Sequence, residues 1–316
     1  MFKQHFGGWT IAFAVASSLT AADAAAHGFA GKRFFPATLA VEDPFVADEL
    51  SLPTVSYFKN PAGDEGPATR QTAVAVDFSK RITDDFGFGL GASYLQLRPD
   101  EGERQRGFDN FALSLKYKLY QNDVRETIVS AGVDWDIGNT GSKRVGAEPF
   151  STVTPALLFG KGFGDLGDDM KYLRPLAITG SVGVGIPSRT HVSSVDEEGN
   201  VTTEGIPNTL KWGFTVQYSI PYLNANVEGT GWSAVFNQLI PVIEFPMTTA
   251  LNRGAHGTTG TVNPGLIWAG RYIQVAAEAQ VPVNRASGSQ VGWIVQLHLY
   301  LDDLFPTSLG RPIFRN

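Results

Sequence analysis

The sequence predicts an all-β protein: a transmembrane, antiparallel, up-and-down β-barrel of about 12 strands, preceded by a short N-terminal segment outside the barrel. Three observations support this prediction. The chain begins like an exported protein, long segments alternate between polar and apolar residues, and the connections between these segments alternate between short and long.

Residues 1–26 are predicted to be a secretory signal peptide that is cleaved after Ala26. Lys3 supplies the positive start, Trp9–Ala16 the apolar core, and Ala24 with Ala26 the small-residue cleavage site. A retained helical anchor is the alternative, but the apolar core falls well short of the ~20 residues that span a bilayer. The chain contains no cysteine, so after export it must be held by packing and backbone pairing rather than by disulfides.

Residues 27–50 form a lead-in that does not alternate and that mixes glycine, proline and charge (HGFAGKRFFPATLAVEDPFVADEL). We expect it to lie in the periplasm or to be tucked into the barrel as a plug, because exposed aromatic clusters usually mark an interaction site. A flexible tether is the alternative that its glycine and proline content permits. The plug candidates are Arg33, Phe34, Phe35 and Phe45.

The barrel is predicted over residues 51–302, where residues alternate with the period of two that a strand shows when its faces meet different solvents. In the segment that ends at Tyr120, one face carries the large apolar residues Phe111, Leu113, Leu115, Tyr117 and Leu119. Such segments run for roughly 10–14 residues, against ~5–6 in a typical soluble strand. A tilted strand needs ~9–11 residues to cross a bilayer. The segment length therefore favours a membrane barrel over a soluble sandwich.

About twelve segments of this kind are present, and an even count places both chain ends in the periplasm. They cover residues 52–59, 70–82, 86–98, 108–119, 126–138, 151–161, 174–187, 209–222, 233–246, 258–269, 272–284 and 290–301. Short turns are expected at the periplasmic end and long loops outside, although Gly162–Leu173 and Leu223–Trp232 are long where short turns are expected. The segment Val235–Pro246 is the weakest strand because it contains two prolines and Glu244. Residues 303–316 are predicted to be a periplasmic tail.

The inner face of the barrel supplies the candidate functional residues. If the apolar set faces lipid, the pore-lining residues are Asp77, Lys116, Lys118, Asp134, Asp136, Gln217, Glu278, Gln280, Gln296 and His298. These residues either line a polar pore or pair with one another and fill the interior. We expect Lys118 to meet Glu126 across the turn, whereas Lys116 finds no acid opposite it on that strand.

Other chemistry is weakly indicated. Asp134 and Asp136 share one face about 7 Å apart, which suits a cation or an acid/base pair, but solvated carboxylates are the favoured interpretation. His27 at a new N-terminus has too few partners to hold a metal, because His191, His256 and His298 are scattered along the sequence. No Gly-x-Ser-x-Gly elbow is present. We therefore predict no metal, no cofactor and no enzymatic activity.

Three functions remain open at this point. A net charge of −6 argues against binding to nucleic acid. The expected partners are outer-membrane lipid and a small-molecule solute. The oligomeric state is left open. Passage of a small solute through a bacterial outer membrane is favoured. A structural or adhesive barrel and, third, a lipid-modifying enzyme are the alternatives. Twelve strands lie between the eight of a filled barrel and the 16–18 of an open channel. Whether the lumen is open therefore depends on whether the lead-in or a loop plugs it.

The ends of the mature chain carry a family resemblance. The lead-in GKRFFPATLAVEDPFVADELSLP and the ending LHLYLDDLFPTSLGRP resemble those of a bacterial family named for the meta-cleavage pathway of phenol degradation. The resemblance implies an outer-membrane barrel that takes up hydrophobic or aromatic compounds. It implies no particular functional residues.

Overall fold

A computed structural model describes residues 28–63, 66–195, 201–253 and 257–314 of the chain. The predicted signal peptide, its cleavage site and His27 lie outside the described residues. Among the described residues, no helix has the length and apolarity needed to cross a membrane.

Twelve long antiparallel strands make up the barrel within the described part of the chain. In chain order they are β1 (Glu49–Asn60), β2 (Thr69–Arg81), β3 (Phe86–Pro99), β4 (Phe111–Asn122), β5 (Thr127–Ile137), β6 (Thr152–Gly162), β7 (Leu176–Pro187), β8 (Thr209–Tyr218), β9 (Leu239–Ala250), β10 (Thr258–Ala269), β11 (Ile273–Pro282) and β12 (Gly292–Tyr300). Each strand pairs with the next one along the chain.

The barrel closes between its first and last strands. β12 pairs with β1 in a register that places Trp293 opposite Tyr57, and the two rings stack with centroids 6.3 Å apart. Closure removes the sheet edges, whose unpaired backbone groups lipid cannot satisfy. The predicted fold class, a closed up-and-down barrel of about twelve strands, is confirmed.

Shorter elements decorate the two ends. The strand pair Phe29–Ala30 and Arg33–Phe34 forms a hairpin in the lead-in, and a second hairpin joins His191–Val195 to Val201–Gly205. The short strand Gln105–Phe108 extends the edge of β3. The helical elements are α1 (Ile220–Asn226), α2 (Leu301–Leu304) and the 3-10 turns Lys143–Val145, Asp168–Leu173 and Phe236–Gln238.

The two ends of the barrel differ in their connections. β1 begins and β12 ends at the same end, where the strands are joined through residues 82–85, 123–126 and 270–272, and through the longer stretches 163–175 and 219–238. We call this the periplasmic end, because short turns mark that side of outer-membrane barrels. The two long connections expected from the sequence carry the 3-10 turn Asp168–Leu173 and helix α1. The other end, with the hairpin His191–Gly205, is the outer end.

The strands alternate between an apolar outer face and a polar inner face. On β4, Leu115 and Tyr117 are exposed on the outside, while Lys116 turns inward. β9 differs from the prediction. It begins at Leu239 rather than at residue 233, because Phe236–Gln238 forms a 3-10 turn. Its apolar residues Ile240 and Val242 are buried inside the barrel, so the expectation that apolar residues face lipid is wrong for these two.

Candidate functional site

The lead-in enters the barrel through its periplasmic end and is anchored there by Arg33. The guanidinium is fully buried, and its Nε lies 3.2 Å from Oε2 of Glu126. It also donates to the carbonyl oxygens of Pro175, at 2.9 Å, and of Arg174, and it stacks 3.7 Å above the ring of Tyr222. Burial lowers the pKa of Arg33, and Glu126 opposes that shift. Charge, hydrogen bonds and stacking therefore hold one residue at the mouth of the barrel.

Aromatic residues of the lead-in provide a second anchor. The rings of Phe35 and Phe45 are 5.3 Å apart and pack with Ala30 against Ala177 on β7. Phe34 and Leu39 pack on a buried apolar patch of the inner wall formed by β9, β10 and β11. This patch consists of Ile240, Val242, Ile267, Ala269 and Ala276. The lead-in thus explains why the inner face of β9 is apolar.

The carboxylate of Glu244 on β9 binds the backbone of the lead-in. It accepts hydrogen bonds from the amides of Leu39 at 2.8 Å, Ala40 at 2.9 Å and Val41 at 2.7 Å. On β11, the side-chain amide of Gln274 donates to the carbonyl oxygen of Ala37 at 2.7 Å. Residues 37–41 are therefore fixed to the wall formed by β9 and β11. A buried charge needs such partners, and backbone amides supply them here.

The next residues of the lead-in contact the opposite wall. Lys116 on β4 forms an ion pair with Glu42 at 3.0 Å and donates to the carbonyl oxygen of Asp43 at 2.7 Å. Ser130 on β5 donates to the carbonyl oxygen of Pro44. β4 and β5 lie across the ring of strands from β9 and β11. Residues 37–44, which we call the crossing segment, therefore span the lumen from one wall to the other.

The lead-in then returns to the periplasmic end. Asp48 is fully buried and forms ion pairs of 2.8 Å with both Lys80 and Arg81 at the end of β2. Arg81 also donates to the carbonyl oxygen of Gly310 in the C-terminal tail at 3.0 Å. The lead-in is therefore a loop that both enters and leaves the barrel through the same mouth.

Two cavities flank the crossing segment. The larger, about 380 Å³, lies against the wall that runs from β12 through β1 to β5, and the smaller, about 250 Å³, lies against β5 to β9. Gly87, Gly89 and Gly91 of β3 line the larger cavity with backbone alone. Glu42 and Asp134 line both cavities. The lumen is thus divided and narrowed, with polar space on each side of the crossing segment.

The structure places the ten predicted pore-lining residues as follows. Asp77, Lys116, Asp134, Gln296 and His298 line the larger cavity. Asp136 lies 3.8 Å from Lys211, which lines the smaller one. Gln217 and Glu278 are buried in the inner wall, and Gln280 lies on the same face as Glu278. Lys118 forms an ion pair with Asp85 at the periplasmic turn.

The predicted contact between Lys118 and Glu126 is wrong. The ladder between β4 and β5 shifts by one residue between Lys118 and Tyr120, and Lys118 turns toward Asp85, 2.8 Å away. Glu126 is instead occupied by Arg33. The four plug candidates, Arg33, Phe34, Phe35 and Phe45, all contact the inside of the barrel or its mouth.

Sequence reasoning missed the acids that serve Lys116, because they come from the lead-in rather than from a neighbouring strand. It also missed the surroundings of His298. The Nδ1 atom of His298 lies 2.8 Å from Oγ of Ser51, and its Nε2 lies 3.5 Å from a carboxylate oxygen of Glu49. The position of Glu244 in the sequence did indicate a buried contact, because a carboxylate on an apolar inner face requires a buried partner. Among the described residues, no cluster of His, Asp and Glu is arranged to hold a metal ion.

Comparison with known proteins adds likenesses in fold. No protein-family model and no curated protein sequence matches the chain. The NanC porin is 9% identical, with a TM-score of 0.44, over 78% of this chain and 98% of its own. The KdgM porin in complex with disordered oligogalacturonate is 11% identical, with a TM-score of 0.43, over 78% and 98%. The translocator domain of the autotransporter NalP from Neisseria meningitidis is 10% identical, with a TM-score of 0.45, over 80% and 88%. The closed twelve-stranded fold itself is established by the strand pairing of the chain.

Proposed function

We propose that this protein is an outer-membrane channel for small solutes whose lumen is narrowed by the crossing segment. One observation carries the proposal: residues 37–44 bind both walls of the barrel and leave polar cavities of about 380 and 250 Å³ beside them. A twelve-stranded barrel is wider than the filled eight-stranded kind. Space that a bare barrel would leave open is here partly occupied, so only small solutes would pass.

The two faces of the barrel support this location and role. Large apolar side chains are exposed on the outside, where lipid would cover them, including Leu90, Leu115, Tyr117, Leu157 and Trp293. Lysines and carboxylates line the cavities inside, as water-filled barrels show. The lead-in and residues 301–314 lie at the end that we call periplasmic. The hydrophobic or aromatic solutes implied by the family resemblance remain a prediction, since both cavities are lined by charged groups.

The alternatives fit these features less well. A structural or adhesive barrel has no need for charged cavities beside a lumen-crossing segment. A lipid-modifying enzyme needs its catalytic groups at the lipid face, whereas His298 is buried and lines an inner cavity. We therefore propose a channel without enzymatic activity.

Single-channel recording in planar bilayers tests this proposal. Deletion of residues 28–41 should raise the conductance of the refolded protein, because it removes most of the obstruction. Heat-modifiable mobility on gels checks that the deleted chain still forms a barrel. Glu244→Ala provides a second route: it removes the acceptor of three lead-in amides and should loosen the crossing segment and raise the conductance.

Glu101→Ala is the matched control, because Glu101 is exposed in an outer loop. It should conduct like the unmodified protein. Unchanged conductance in a correctly folded deletion and in Glu244→Ala would overturn the role of the crossing segment. A barrel that conducts in none of these forms would overturn the channel itself.

A further inference from the structure

We propose that the larger cavity is a binding site for a small cation that carries an ammonium group, with Asp77 and Asp134 as the carboxylates that attract it. The inference rests on the proposed channel function and adds the charge class of the solute. It follows from the charge balance of the cavity, from the groups that have no partner there, and from their spacing.

The cavity wall carries far more negative than positive charge. Its only lysine among the described residues is Lys116, and its carboxylates are Glu42, Asp43, Glu49, Asp77 and Asp134. In a narrow cavity with low-dielectric walls, an excess of one sign concentrates ions of the opposite sign. The larger cavity therefore attracts cations and repels anions.

Three of these carboxylates are already occupied. Glu42 is paired with Lys116, Asp43 accepts a hydrogen bond from the amide of Phe45 at 2.9 Å, and Glu49 lies beside His298. Asp77 and Asp134 differ, since neither forms an ion pair or a hydrogen bond with any residue in the described ranges. His298 attracts Asp77, and Lys116 and Lys211 attract Asp134, but only at longer range, so both carboxylates face the cavity without a hydrogen bond or close ion pair.

Gln296 gives a second, independent indication of a ligand. Its side chain is only 6% exposed and lines the same cavity. Its Nε2 donates to the hydroxyl of Thr54 at 3.1 Å, but its Oε1 has no hydrogen-bond partner among the described residues. A buried carbonyl oxygen without a donor is costly. An N–H donor brought by a ligand would satisfy it.

The spacing of these groups favours an organic ammonium ion over a chelated metal. Asp77 lies on β2 and Asp134 on β5, three strand spacings apart, or roughly 14 Å along the wall. Metal ligands must converge on one ion at ~2–2.6 Å, which this separation forbids. A volume of about 380 Å³ falls within the range of small-molecule sites. The site therefore suits a solute whose positive charge is spread over, or carried by, a small organic body.

The test uses the full chain in planar bilayers under a KCl gradient. The unmodified protein should pass K⁺ in preference to Cl⁻, and ethylammonium, which carries N–H donors, should block its K⁺ current. In Asp77→Asn/Asp134→Asn the K⁺/Cl⁻ permeability ratio should fall several-fold toward one, and about tenfold more ethylammonium should be needed for block, since charge-assisted contacts are lost. Asp84→Asn/Asp169→Asn removes the same charge at exposed periplasmic turns and should change neither value.

The outcomes separate the inference from the proposed function. A conducting barrel that prefers Cl⁻, or whose K⁺ preference survives the double substitution, overturns the cation site and leaves the channel standing. If the double variant fails to fold, Asp77→Asn alone is measured in the same way. Calorimetric titration of ethylammonium into the refolded protein gives a readout that needs no current. Absence of binding there also overturns the inference.

Discussion

Arg33→Ala should detach the N-terminal hairpin from the mouth of the barrel while leaving the barrel closed. The substitution removes the buried ion pair with Glu126, two hydrogen bonds to the carbonyl oxygens of residues 174 and 175, and the stacking on Tyr222. All of these contacts join the lead-in to periplasmic connections and not strand to strand. The lost free energy should therefore appear as undocking rather than as unfolding.

The size of the effect follows from what is left behind. Removing one partner of a buried ion pair costs about 3–5 kcal/mol, mainly because the remaining charge stays buried. Glu126 would keep the hydrogen bond from the amide of Gly164, at 3.0 Å, and could gain water at the mouth. The lower value, about 3 kcal/mol, is therefore expected. It corresponds to roughly a hundredfold change in the docking equilibrium.

Amide hydrogen exchange measures this change directly. The amide of Phe35 donates to the carbonyl oxygen of Gly28 at 2.7 Å, so its exchange reports the opening of the hairpin. Arg33→Ala should speed this exchange by about a hundredfold. Arg125→Ala is the matched control, because Arg125 is exposed beside the same turn. Exchange that stays within about threefold of the unmodified protein would refute the assignment of Arg33 as the main anchor.

Three further predictions concern the barrel, the cavity and export. Leu115→Arg places a charge on the lipid face at a cost of ~2–4 kcal/mol and should reduce the heat-modifiable barrel on gels, while Ser114→Arg in the larger cavity should not; equal effects would contradict the alternation of faces. Ala112→Leu on the inner face of β4 should partly fill the larger cavity and lower the conductance, whereas Leu90→Ile on the outer face should leave it unchanged. N-terminal sequencing of the membrane-bound protein should show cleavage after Ala26, and a chain that still starts at its first residue would disprove this.

Most of the barrel could be predicted from the sequence because alternation is a local signal. The run from Phe111 to Leu119 shows both its length and its two faces without reference to any other part of the chain. The sequence pattern predicts the start and the two faces of β9 less accurately, because the lead-in covers the inner face of this strand. Ile240 and Val242 face inward as apolar residues, which breaks the rule that polar residues line a lumen.

The partners of the inner residues were harder to predict because they come from distant parts of the chain. Pairing rules for adjacent strands predicted a contact between Lys118 and the carboxylate of Glu126. In the structure the ladder shifts by one residue, so Lys118 pairs with Asp85, while Glu126 pairs with Arg33. Lys116 is paired with Glu42, which belongs to no strand. Contacts of this kind depend on the path of an irregular segment, and no periodicity encodes that path.

The path of the lead-in has a topological consequence. It leaves the mouth near Asp123, crosses the lumen and returns to Asp48 beside Arg81, so it is a loop that is not threaded through the barrel from end to end. Such a loop can be inserted into the closed barrel, or withdrawn from it, through a single opening. The pairing of β12 with β1 can therefore form first, and the loop can dock afterwards. Withdrawal in the mature protein would require only the loss of side-chain and amide contacts, with every strand pairing intact.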